Sequence, residues 1–288
     1  MSTVAAASSR LFRSSRHSLR ATGWLGYACV GVIALAVFVA IFGPMLAPYD
    51  PNAVDLSNAF VGPTGGHLLG FDPAGRDLLS RLLVGARTSM LGPFAVMIFS
   101  VLFGTGLAVS AAWIGGWYDS AVSACLDVLF AFPGILLAVL AAAVFGPSLF
   151  AASIALSVAY TPYIARVVRG AALRERAQQY IAALEVQGFS GFVICLRHLV
   201  PNVVALIVAQ GTILFGYAMV DLAAISFLGL GVQPPQPDWG VMVAEGETGV
   251  LQGYPAEALA AGAAIMLVVI AVNLLGERLV ESAQRSQR

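Results

Sequence analysis

Six long apolar runs separated by polar segments of unequal length set the pattern of this chain. A helix needs about 20 apolar residues to cross the hydrocarbon of a bilayer. Runs of that kind cover residues 24–46, 89–114, 120–145, 149–164, 203–227 and 256–275, the fourth being the shortest. The pattern predicts an all-α, polytopic membrane protein with six transmembrane helices.

The polar segments carry patterns of their own. Residues 47–88 end in "GRDLLSRLLVGAR". There Leu78, Leu79, Leu82 and Leu83 make an apolar face, while Arg76, Asp77 and Arg81 fall on the wet side, so the spacing predicts an amphipathic elbow at the membrane surface. The fifth run leaves through "SFLGLGVQPPQPDWG". Gly229 and Gly231 loosen the helix end, Pro234, Pro235 and Pro237 forbid its continuation, and Trp239 suits a headgroup interface. This exit reads either as an outer gate or as a rigid lid that returns the chain to the sixth run.

Residues 166–202, "RVVRGAALRERAQQYIAALEVQGFSGFVICLRHLVPN", interrupt the apolar pattern with a basic stretch. Tyr180, Ala183, Leu184 and Gln187 fall at i, i+3, i+4 and i+7, on one helix face. Gly188 stops that helix as a C′ residue tolerant of positive φ. Ser190 is placed to cap a second helix, "GFVICLRHLV", and Pro201 suits the first turn of the fifth span. A helix, a glycine turn and a helix presented this way suit docking into a partner's groove. The alternative is an amphipathic connector lying on anionic lipid, with Arg174, Arg176 and Arg197 as its polar face.

Composition sharpens the picture. The chain is 59% hydrophobic and 10% charged, with mean hydropathy +0.86. Soluble domains are about 25% charged, so a soluble globular class is excluded. Zero net charge argues against a nucleic-acid partner. Every basic residue is arginine. Without lysine there is no Walker A loop, so any ATP that drives the protein binds another subunit. No hydrolytic constellation is visible, and the chain reads as non-catalytic, with no cofactor of its own.

The arginines also orient the bundle. With the N-terminus in the cytoplasm, Arg10, Arg13, Arg16, Arg20, Arg166, Arg169, Arg174, Arg176, Arg197, Arg278, Arg285 and Arg288 fall inside, and only Arg76, Arg81 and Arg87 outside. Both termini are therefore placed in the cytoplasm. The resulting division is a basic N-terminal segment 1–23, a first anchor 24–46, an extracytoplasmic loop 47–88, a five-helix core 89–276 containing a cytoplasmic loop 166–200, and a tail 277–288. The first run is longer than a signal peptide's apolar region, so it reads as an uncleaved anchor. Cys29, Cys125 and Cys195 are scattered and read as small buried hydrophobes; His17, His67 and His198 suggest no metal cluster.

Asp127 and Asp221 lie inside predicted spans. Each costs roughly 2.5–3.5 kcal/mol at a helix centre, so each should face the bundle interior or water. Two such acids keep open an ion-coupled secondary transporter, although the inverted repeats of that class are not evident.

The loop residues Ala182, Ala183 and Leu184, then Gly188, then His198, Leu199, Val200, Pro201 and Asn202, resemble the Glu-Ala-Ala loop of ABC-importer permeases. Ala182 stands where that motif has glutamate, Leu184 replaces its second alanine, and Glu185 stands where arginine is common. "HLLGFDPAGRDLLSRLLVGARTSM", "DVLFAFP" and "AISFLGLGVQPPQPDWG" resemble segments of the dipeptide, oligopeptide and nickel permeases, and the resemblance extends over about residues 24–282. It implies a C-type permease with type I importer architecture in a bacterial inner membrane. It also implies a paralogous B-type permease subunit, two cytoplasmic ATPase subunits that bind ATP and Mg, and an extracytoplasmic substrate-binding protein. On this resemblance Tyr180, Ala182, Ala183, Leu184, Glu185, Gln187, Gly188 and Ser190 form the ATPase-docking loop. Asp127, Asp221 and Phe227 are candidates for the translocation path or its gate, although at Asp221 the register differs: similar permeases often carry glutamate where this chain has Leu222. Peptide is the expected cargo; a nickel chelate or another small solute is the alternative.

Overall fold

The structure is a computed structural model, and it describes residues 23–285. Most of the basic N-terminal segment, with Arg10, Arg13, Arg16 and Arg20, lies outside the described residues, as does Arg288. The helices are α1 (Gly23–Leu46), α2 (Leu78–Ile114), α3 (Gly116–Phe130), α4 (Gly134–Phe145), α5 (Leu149–Arg176), α6 (Gln179–Val186), α7 (Gly191–Ile194), α8 (Val200–Phe227), α9 (Trp239–Leu251) and α10 (Ala256–Arg285). Among the described residues β pairing is limited to one isolated bridge, Phe71 with Asp77.

Among the described residues, five helical stretches are long and apolar enough to cross a membrane, and α3 with α4 supplies a sixth crossing only as a bent pair. The two meet at 79° instead of forming the expected unbroken span 120–145. Pro133 explains the break: it donates no amide and holds Phe132 out of the helical region.

Two other boundaries differ from the expected ones. α2 is 37 residues long, so the expected elbow is simply its first turns. At 1.5 Å per residue it is about 55 Å long, well beyond a bilayer core of about 30 Å. Ser148 caps α5, its hydroxyl accepting from Ala151 N, and the helix runs past residue 164 to Arg176 without interruption. The alanine- and arginine-rich sequence 165–176 is a good helix former, so the polar stretch begins as helix.

α2 packs chiefly on α5, and α8 chiefly on α10. Small residues allow the first contact. Ala108, Ala111, Ala112, Ala165, Ala171 and Ala172 are buried, and a Cβ on Gly104 would lie 2.9 Å from the Cβ of Ile164. The core falls into three clusters. One, around Ala112, Ala172, Leu199 and Val203, sits nearest α6; another, around Leu78, Trp239, Met242 and Ala261, closes the opposite end; the third joins α2, α4, α5 and α8 between them. Of the cysteines only Cys29 is buried; Cys195 is half-buried and Cys125 is exposed, which corrects the expectation of three buried hydrophobes.

Candidate functional site

α6 is held by one buried side chain, Ile181, and is otherwise presented outward. Leu184 is half-buried, while Tyr180, Ala182, Ala183, Glu185, Gln187, Gly188 and Ser190 are exposed. The helix ends in a Schellman motif: Phe189 N donates to Leu184 O at 3.2 Å, and Gly188 N to Glu185 O at 3.0 Å. Gly188 has φ +82, and nothing lies within 4 Å of where its Cβ would be. Glycine is needed there for the backbone conformation and not for space.

Ser190 is extended and precedes α7, but its side chain makes no capping bond, contrary to the sequence expectation. Its carbonyl instead accepts from Ile194 N. The helix that follows is not separate from the fifth span. It passes through a π-turn, Cys195–Leu199, and continues as α8 to Phe227. Pro201 accounts for the wide turn: it has no N–H for the carbonyl of Arg197, and Val200 N reaches back to Cys195 O.

Three polar groups tie this end together. Tyr180 OH donates to Glu175; Asn202 Nδ2 donates to Glu175 Oε1 at 2.7 Å and to Tyr180 OH at 2.8 Å. Burial, then the Glu175 carboxylate, push the Tyr180 phenol up to about 12. Arg176 donates to the carbonyls of Ala112 and Trp113 and lies over the Trp113 ring. It thereby neutralises the carbonyl end of α2 and does not serve as the lipid-facing polar residue of the connector reading. Val186 is 90% exposed, and Phe189, Phe192 and Leu196 are exposed beside it.

The candidate path residues are not gathered into one site. Asp127 on α3 is paired with Arg166 at 2.7 Å, and Asp221 on α8 accepts from Tyr160 OH at 2.7 Å. Both partners are on α5, six residues apart, which is about 240° around a helix. The two acids therefore approach different faces of α5. Phe227 is exposed at the last turn of α8.

At the end of the bundle away from α6, the structure overturns the expected wet elbow. Arg76, Asp77 and Arg81 are all buried. Arg76 Nη2 and Arg81 Nη2 both donate to Glu245 Oε2, at 2.8 and 2.7 Å, and Arg76 Nε donates to Asp72 Oδ2. Burial opposes the Arg76 charge, but Asp72 and Glu245 outweigh it and hold its pKa above the ordinary value. Asp77 caps α2 by accepting from Ser80 N and meets His67 Nδ1 at 2.8 Å. Trp239 is buried as well, its indole donating to Leu82 O, so its ring packs against protein instead of presenting itself to headgroups. The residues after the prolines form α9, capped by Asp238, which also accepts from Ser89. Periodicity missed Glu245 and Glu257. Their signal was the oddity of acids inside apolar segments, Glu245 and Glu247 in "GVMVAEGETGV" and Glu257 in "AEALAAG".

The family model described as "Binding-protein-dependent transport system inner membrane component" matches residues 100–288, and "N-terminal TM domain of oligopeptide transport permease C" matches residues 24–63. The dipeptide transport system permease protein DppC of Alkalihalophilus pseudofirmus is 38% identical over 254 residues, covering 88% of this chain and 83% of that one. The glutathione transport system permease protein GsiD of Escherichia coli is 42% identical over 249 residues, covering 86% and 82%. Two inward-facing structures of the MetNI methionine ABC transporter align with TM-scores of 0.55 and 0.57 at 21% and 22% identity, covering 70% of this chain and 95–96% of theirs, and so share its fold. The chain is a multi-pass membrane protein, and it belongs to the family of binding-protein-dependent transport system inner membrane components.

Proposed function

We propose that this chain is a permease subunit of an ATP-driven importer of short peptides, and that its Gly188 loop receives a cytoplasmic ATPase. Relatives named for dipeptide and for glutathione transport support the cargo class, since glutathione is itself a tripeptide. In this reading a paralogous B-type permease forms the other half of the pathway, and an extracytoplasmic binding protein delivers the peptide. Two ATPase subunits bind the ATP and Mg that this lysine-free chain cannot hold. Both termini lie in the cytoplasm of a bacterial plasma membrane, following the arginine distribution.

The observation that carries the docking role is a glycine-capped helix with exposed apolar side chains on it and just after it, most of all Val186. Apolar surface on a short helix bound by so few buried residues suits the groove of a partner protein. The test is retention of the ATPase on the solubilised complex at matched expression. Val186→Glu and Gly188→Val should release the ATPase and cut peptide uptake, with normal membrane levels. Arg174→Gln, at an exposed basic residue of the same stretch, should change little. Full coupling in Val186→Glu and Gly188→Val, with loss in Arg174→Gln, would assign the loop to lipid.

A further inference from the structure

Asp72, Glu245 and Glu257 come together at the end of the bundle away from the Gly188 loop. Each offers one carboxylate oxygen, and these oxygens all lie within 4.8 Å of one another. Glu257, in the first turn of α10, is 2% exposed, and neither of its oxygens has a hydrogen-bond partner. Asp72 and Glu245 are already served by Arg76 and Arg81. With all three ionised, the carboxylates exceed the two guanidiniums by one negative charge, and it falls on the group without a partner. A buried unpaired carboxylate is costly, and either a proton or a bound counter-charge relieves it.

The size of that charge is limited. A divalent ion would turn the excess of minus one into plus one beside two arginines, whereas a singly charged cation brings it to zero. The surroundings choose among singly charged cations. Asp72 and Glu257 line a cavity of about 170 Å³ whose wall includes Phe60, Phe71 and Tyr254. The rings of Phe60 and Tyr254 stack with centroids 5.2 Å apart. A hydrated alkali ion gains little from such walls. An alkylammonium places its charge on the carboxylates and its carbon against the rings, which also attract cations through their faces.

We propose that this cavity is a binding site for a small primary amine, whose ammonium group sits against Glu257 and whose alkyl part lies along Phe60 and Tyr254. The site is lined by residues of this chain and uses none of the residues of the Gly188 loop.

Methylammonium is the probe. The full chain in lipid nanodiscs is unfolded thermally at fixed ionic strength, with sodium chloride replaced stepwise by methylammonium chloride. The expected result is a saturable rise in Tm with methylammonium over sodium, and a half-saturation concentration raised at least tenfold in Glu257→Gln. That variant keeps the shape and removes the charge. Tyr254→Leu, at an exposed ring of the wall, should raise half-saturation several-fold, and it keeps the test intact if Glu257→Gln does not fold. No saturable rise, equal rises with sodium and methylammonium, or unchanged half-saturation in Glu257→Gln or in Tyr254→Leu would each overturn the site. The first and third of these outcomes are what a Glu257 that simply holds a proton would give.

Discussion

Each end of this bundle is closed by a small polar network, and the two are built from similar contacts. At one end Arg76 and Arg81 share Glu245 at 2.7–2.8 Å, joining α2 and the segment before it to α9. At the other, Glu175, Tyr180 and Asn202 share hydrogen bonds of 2.7–2.8 Å, joining α5, α6 and α8. Distance does not separate them; burial does. The Arg81 side chain is 0% exposed, whereas the Glu175, Tyr180 and Asn202 contacts lie at the surface. A partner lost from a buried charge network leaves another charge uncompensated, but water replaces a partner lost at the surface. The first network therefore belongs to the global stability of the fold, and the second sets the local rigidity of the exposed α6 loop.

The largest expected effect breaks the buried network. Arg81→Met keeps much of the side-chain volume and removes the charge from Glu245 and Asp72. Removing one partner of a buried pair costs about 3–5 kcal/mol. Membrane levels of folded protein should fall sharply, and thermal unfolding of what remains should come much earlier. Adding Glu245→Gln should return part of that loss, because Arg76 then has one acid fewer to compensate. A double variant as unstable as the sum of the two single variants would show that the groups are not coupled.

Glycines sharpen the comparison at an intermediate scale. At the buried end a Cβ on Gly240 would lie 2.5 Å from the carbonyl oxygen of Ala223, so that glycine is there for space. At the loop end Gly188 has open space and a positive φ. Gly240→Ala should cost about 1–3 kcal/mol through overpacking, and Gly240→Asn more. Gly188→Ala should cost about 1 kcal/mol, and Gly188→Asn less, because asparagine tolerates the left-handed region. Equilibrium unfolding of the four variants reads the two orders directly. The same rank of Ala and Asn at both glycines would mean that one of them has been assigned the wrong constraint.

This division also governs what the sequence could disclose. The loop end is built from local signals. A glycine after a helical run, a proline at the start of the next span and small residues between them lie within 25 positions, and the Gly188 cap follows from them. The buried end is built from partners 164 and 169 residues apart, Arg81 and Arg76 with Glu245. Local periodicity put those arginines on the polar face of an elbow, and nothing nearby in sequence could show that α9 covers them. The six apolar runs were legible because bilayer thickness imposes a length on each. The bend at Pro133 and the extension of α5 to Arg176 were less so, because hydropathy marks where a helix is apolar and not where it stops.

The smallest effect is the most discriminating. Tyr180→Phe removes one hydroxyl from the Glu175–Tyr180–Asn202 cluster, and Asn202 can still donate to Glu175. The net worth of such a surface hydrogen bond is about 0.5–1 kcal/mol at most. Global unfolding should therefore change little, since Ile181 and the Gly188 cap remain. The loss should appear where the bond acts, in the fraction of time α6 is open. Amide exchange of residues 181–186 should speed by roughly two- to fivefold, the factor equivalent to that energy, while amides of α9 beside Glu245 stay unchanged. If exchange in α9 rises together with α6, the two ends unfold as one unit, and the contrast drawn between them fails.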